Sequence, residues 1–112
     1  MKTFMMTVFA AVLLAATETV SAATGAERHV AKGIPCTACH GAKQEITTPG
    51  IDQCRQCHNP DAVAEKTKNV KPRNPHVSPH YGKTLDCVLC HVQHDATENY
   101  CAQCHKFDFK VP

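Results

Sequence analysis

Every cysteine in this chain lies in a Cys-x-x-Cys-His pentad, and four such pentads occupy its 112 residues: Cys36 to His40, Cys54 to His58, Cys87 to His91 and Cys101 to His105. On one helical turn, positions i, i+3 and i+4 share a face, so two thiols and an imidazole project together toward one object. The pentad is the attachment signature of c-type haem: the thiols reach two vinyl groups and the imidazole reaches iron. The expectation is four covalently bound haem c groups. Cys36, Cys39, Cys54, Cys57, Cys87, Cys90, Cys101 and Cys104 form the thioethers, and His40, His58, His91 and His105 each ligate one iron.

Two plainer uses of cysteine compete with this reading. The spacing of Cys36, Cys39, Cys54 and Cys57 resembles a zinc ribbon, and exported chains often pair their cysteines as disulfides. Neither explains the histidines. With 8 His in 112 residues, chance placement behind all four pairs is on the order of 10⁻⁵, which ranks covalent haem first. Asp52, Asp86 and Asn99, just before three of the pairs, and Pro35 directly before Cys36 are expected to start short helices.

The N-terminal segment is of another kind. Met1-Lys2, an apolar run from Phe4 to Ala16 and then Val20-Ser21-Ala22 read as the charged, apolar and cleavage regions of a signal peptide spanning 1–22. The run falls short of the roughly 20 residues a membrane span needs. The expected mature protein, 23–112, is therefore exported and soluble. It contains no methionine, and Val, Ile, Leu and Phe make up 14 of its 90 residues, below the roughly 20% of a chain that builds its own core. Small exported domains make up that deficit with disulfides, metals or a cofactor.

Without methionine, the second axial ligand of each iron is expected to be histidine. His29, His76, His80 and His94 remain for four irons. Bis-histidine ligation gives lower potentials than His/Met ligation. A module H-x6-C-x-x-C-H pairs His29 with the first pentad, His80 with the third and His94 with the fourth. Thr47 stands at the equivalent place before the second, which by elimination takes His76. Pro79 opposes a regular helix across His76 and His80, so the two imidazoles are expected to splay toward different haems. On these assignments the His76/His80 step links the second and third centres, and the His91/His94 step links the third and fourth. Were His29 free, the first iron would keep an open face for a small ligand, and the chain would belong with enzymes.

Composition excludes other classes. Five scattered glycines cannot form a nucleotide-cradling loop, and a formal charge of +2 without basic-aromatic interleaving gives no nucleic-acid surface. Lys66, Lys68, Lys71 and Arg73 form a basic stretch, read either as a solvated linker that offsets haem propionates or as a docking patch for an acidic redox partner. Tyr81, Tyr100, Phe107 and Phe109 are expected to pack on porphyrin faces, and Pro60 to open a short helix toward Lys68.

These residues resemble the small tetrahaem cytochromes c of respiratory bacteria and the tetrahaem domain of periplasmic flavocytochrome c fumarate reductases. The likeness covers the mature chain and is closest from His76 to His105, through the distal pair before the third pentad and the CxxCHxxH element Cys87 to His94. It implies short α-helices and loops wrapped around four covalent haems, with little or no β-sheet. No flavin domain follows Pro112, so the resemblance does not extend to reductase activity. The expected protein is a periplasmic electron carrier of anaerobic respiration, a monomer or a subunit of a heteromer. Its expected donor is a membrane quinol dehydrogenase, and its acceptor a periplasmic reductase. The alternative role is the haem subunit that feeds a separate flavin-containing, fumarate reductase-like partner.

Overall fold

The computed structural model describes residues 21–44 and 46–112; of the expected signal peptide, all but Ser21 and Ala22 lies outside them. Four short α-helices, α1 (Gly25–Ala31), α2 (Thr37–His40), α3 (Ile51–Arg55) and α4 (Pro60–Lys66), precede two 3₁₀ turns, Cys87–Leu89 and Tyr100–Gln103. Among the described residues there is no strand, only one isolated antiparallel bridge between Ser78 and Gly82. The expected helix-and-loop class is what the chain adopts. No helix among the described residues is long and apolar enough to cross a membrane.

Local chemistry sets the helix ends. Thr24 and Glu27 form a capping box at α1: the Thr24 hydroxyl accepts from Glu27 N–H at 3.3 Å, and the Glu27 carboxylate accepts from Thr24 N–H at 2.7 Å. Asn59 caps α4, accepting from Asp61 N–H at 2.9 Å and Ala62 N–H at 3.1 Å, with Pro60 in the first turn as expected. Of the three expected caps before cysteine pairs, Asp86 caps its turn by accepting from Val88 N–H. Asn99 holds the cap position but makes no capping bond; its amide instead donates to the Phe107 carbonyl at 2.6 Å. Asp52 is not a cap. Extended backbone at Gly50 starts α3 earlier, which places Asp52 in the first turn, where the helix dipole also favours a carboxylate.

Little of the polypeptide is hidden from water. Among the described residues only Gly25 and Ala64 are buried, and no polar side chain is. The elements meet through short contacts: α2 lies against α3, and α3 against the turn Cys87–Leu89. α1 docks through Ala26 N–H donating to the Gln93 carbonyl at 2.7 Å. A chain with so little apolar burial falls far short of offsetting its conformational entropy unless another body supplies the core.

Candidate metal centres

All four pentads fold into the same turn despite unrelated flanking sequence. The histidine N–H donates to the carbonyl of the first cysteine at 3.0, 2.8, 2.8 and 2.9 Å in chain order, and the second cysteine N–H to that carbonyl at 3.2 Å in each. This bonding places the two thiols and the imidazole of each pentad on one side of its turn. All eight cysteines are free of disulfides. Among the described residues no three Cys, His, Asp or Glu side chains come together, so the zinc-ribbon set is not gathered around a common point.

The histidines do come together, in twos. His40 faces His94 with ring centroids 5.9 Å apart, His58 faces His29 at 6.1 Å, His91 faces His76 at 6.2 Å and His105 faces His80 at 6.0 Å. Each pair joins one pentad histidine to one of the four remaining histidines. A nitrogen ligand sits about 2 Å from a first-row metal with its ring centroid about 1 Å beyond, so two trans imidazoles on one ion place their centroids about 6 Å apart. Four unconnected pairs within 0.3 Å of one another at that separation fit an iron between each pair.

The partners differ from those the spacing predicts, at every centre. His29 faces the second pentad rather than the first, His76 the third rather than the second, His80 the fourth rather than the third, and His94 the first rather than the fourth. The H-x6 spacing guarantees reach but not direction. α1, held on Gln93, presents His29 to His58. His76 and His80 do splay to different partners, through a turn in which His80 N–H donates to the Ser78 hydroxyl at 3.1 Å. The His76/His80 step therefore links the third centre to the fourth, and the His91/His94 step links the third to the first. Cys54, beside Cys87, and the packing of α3 on the turn Cys87–Leu89 bring the second and third pentads together. The third centre is a junction.

At that junction His76 Nδ1 lies 3.0 Å from the Thr67 hydroxyl, and the Pro112 carbonyl lies near His91. At the second centre His29 Nδ1 donates to the Gly25 carbonyl at 2.7 Å. A proton fixed on Nδ1 leaves the Nε2 lone pair for a metal. Burial, then the neighbouring His91, holds His76 below the usual imidazole range; burial also lowers His91, against the Pro112 carbonyl and with Arg28 and His58. Both therefore favour the neutral form that ligation requires. Burial, followed by Cys87, pushes the Cys54 thiol up to about 11.

At the fourth centre two clefts, of about 180 and 420 Å³, flank the line between His80 and His105. Phe107 and Phe109 line the first, Tyr81 and Tyr100 the second. Phe107 stacks on His105 at 4.6 Å. These are the four aromatics expected to pack on porphyrin. The basic stretch divides: Lys68 pairs with Glu65, while Arg73 lines the smaller cleft.

Residues 28–106 match the model of the cytochrome c3 family. The chain belongs to that family. Its members carry covalently bound haem c, and this chain is an electron carrier of the multihaem cytochrome type, related to the haem domains of fumarate reductases. It is 40% identical over 82 residues to an acrylate reductase cytochrome subunit of Shewanella woodyi, covering 69% of this chain and 68% of that one. A probable fumarate reductase, Ifc3, of Shewanella frigidimarina is 32% identical over 79 residues, and the dissimilatory sulfite reductase MccA of Wolinella succinogenes 28% over 98 residues. Those matches span only 13% and 14% of the two longer relatives. No solved structure matches the chain.

Three positions outside the pentads and the eight histidines also shape the sites: Gly25, Thr67 and Asn74. The Thr-x-x-Glu pattern at 24–27 marks α1 and leads to Gly25. No sequence signal marks Thr67 or Asn74, because their role arises only when the end of α4 meets the segment carrying His76.

Proposed function

We propose that the mature chain, 23–112, is a periplasmic carrier holding four haem c groups, each ligated by two histidines. Four opposed histidine pairs of nearly equal separation, each attached to one pentad, carry this reading. In chain order the centres would be held by Cys36, Cys39, His40 and His94; by Cys54, Cys57, His58 and His29; by Cys87, Cys90, His91 and His76; and by Cys101, Cys104, His105 and His80. Each bound haem supplies a one-electron iron couple.

The chain's own residues do the rest. The paired histidines would hold each haem iron and leave it no site for a small substrate, and a ligand set unchanged between oxidation states would let electrons exchange with little rearrangement. His29, which would have left an open enzymatic site if free, faces His58. With His76 four residues from His80, His91 three residues from His94, and α3 against the turn Cys87–Leu89, the third centre would adjoin the other three. A membrane quinol dehydrogenase is the proposed donor, and export follows from the signal peptide at 1–22.

A second reading, that the chain is the haem subunit of a two-component reductase, is favoured by its match to most of a reductase's cytochrome subunit. The acceptor is then a separate flavoprotein. Affinity purification from the native host tests this: a stoichiometric flavin-containing partner supports the subunit role, and recovery of the chain alone with full electron flux to several acceptors supports the free carrier. For ligation itself, purely low-spin spectra unreactive toward carbon monoxide are expected; a carbon monoxide-binding fraction in the intact protein contradicts it.

A further inference from the structure

Thr67 sits just past α4 with its hydroxyl oxygen among four polar atoms: the Val63 carbonyl at 2.9 Å, the Ala64 carbonyl at 3.4 Å, Asn74 Oδ1 at 2.8 Å and His76 Nδ1 at 3.0 Å. The Asn74 amide has one favourable orientation. Its Nδ2 donates to the Ala64 carbonyl at 2.8 Å and its Oδ1 accepts from His76 N–H at 3.0 Å, and a flip would set like against like at both contacts. Three neighbours of the hydroxyl are therefore acceptors only; giving its single hydrogen to one of them lets the oxygen accept a second bond, whereas giving it to His76 Nδ1 would leave all three facing a hydroxyl with no hydrogen for them. With the hydrogen placed where it satisfies more contacts, the fourth contact is favourable when His76 Nδ1 carries the proton and Thr67 Oγ1 accepts it. That tautomer leaves His76 Nε2 unprotonated, on a ring that faces His91.

We propose that Thr67 is a positioning residue for the junction centre, fixing the tautomer and ring plane of His76 and lowering the reduction potential of the iron that His76 and His91 hold. The inference rests on the ligand assignment proposed above. A hydroxyl already donating to a carbonyl is a better acceptor. Accepting from Nδ1–H makes the imidazole a stronger donor to metal, which favours the oxidised, more highly charged iron. The same hydroxyl ties that centre to α4 and to Asn74, so the ligand loop and the helix end act as one support.

The test compares the haem-loaded wild-type protein with Thr67→Val, which keeps the shape and removes the acceptor, and with Thr67→Ser, which restores it. In redox titrations resolved haem by haem, Thr67→Val is expected to raise one potential. At fixed ambient potential the reduced-to-oxidised ratio of that centre rises several-fold, up to about tenfold, or about 59 mV for one electron. The other potentials stay put, and Thr67→Ser returns the shifted one. In the reduced, diamagnetic wild-type protein, a slowly exchanging His76 Nδ1 proton close to the Thr67 side chain is expected whatever the variants do. Absence of that proton, an unmoved set of potentials or an equal shift of all of them overturns the role of Thr67 while the ligation stands. A wild-type protein whose His76 centre is high-spin overturns the ligation and this inference with it.

Discussion

His29 and His58 meet with their ring planes 88° apart, whereas His76 and His91 lie at 14°, His40 and His94 at 27° and His80 and His105 at 29°. An axial imidazole interacts through its π system mainly with one of two iron orbitals. Near-parallel rings act on the same orbital and split the pair; crossed rings act on both and leave them close in energy, so ligand orientation is an electronic lever alongside ligand identity. The oxidised protein is expected to show two classes of low-spin electron paramagnetic resonance signal in a ratio of three to one, the minority class with the larger g anisotropy. Four equivalent rhombic signals would contradict the crossed geometry at the second centre.

Gly25, at the start of α1, lies against the Gln93 side chain. A methyl there would lie 2.6 Å from Gln93 Oε1 and 2.8 Å from Nε2. The Gln93 amide would have to leave the His91 carbonyl, to which it donates at 2.7 Å, and one such bond is worth about 1 kcal/mol. Gly25→Ala is expected to cost about 1 kcal/mol more in the wild-type background than in a Gln93→Ala background. Denaturation of the four proteins of this cycle measures it; equal costs would show that the contact is not felt.

Acid should loosen α1 through its cap. Bonds from the Thr24 backbone and then its hydroxyl hold Glu27 below its ordinary value of 4.5. A carboxylate with a lowered folded value stabilises the fold above its ordinary value and loses that contribution as pH falls through the lowered one. Above pH 4.5 the haem-loaded wild-type protein is expected to resist denaturant better than Glu27→Gln, whose neutral amide cannot carry the charge, and the difference is expected to vanish as pH falls through the lowered value. Superimposable acid profiles would remove the capping box from the account.

Much of the chemistry was legible in the sequence, and the pairing was not. The pentads announce themselves because covalent attachment requires contiguous residues at fixed spacing, and one hydrogen-bonded turn recurs at all four. Absence of methionine from residues 23–112 and the histidine count narrow the remaining partners to His29, His76, His80 and His94 without saying which faces which. That choice depends on how α1 seats on Gln93 and how the Ser78 turn separates His76 from His80, contacts between segments far apart in sequence. Asp52 shows the same limit at short range. One residue of backbone geometry at Gly50 decides whether it caps a helix or lies within it.

Few buried side chains imply that the polypeptide depends on its cofactors for order. Ala64, at 5% exposure, is the one buried apolar side chain among the described residues. Replacing all eight cysteines by serine is expected to give a chain with no cooperative melting transition and a collapsed amide spectrum, because nothing replaces the lost core. A sharp melt with dispersed amide resonances would show that the polypeptide folds unaided.

The mass of the protein recovered from its native host decides whether haem is attached at every pentad. Four haem additions on a chain beginning at residue 23, each mapping by peptide fragmentation to one Cys-x-x-Cys-His pentad, is the predicted result. A bare polypeptide mass, or a pentad recovered with both thiols unmodified, would contradict it.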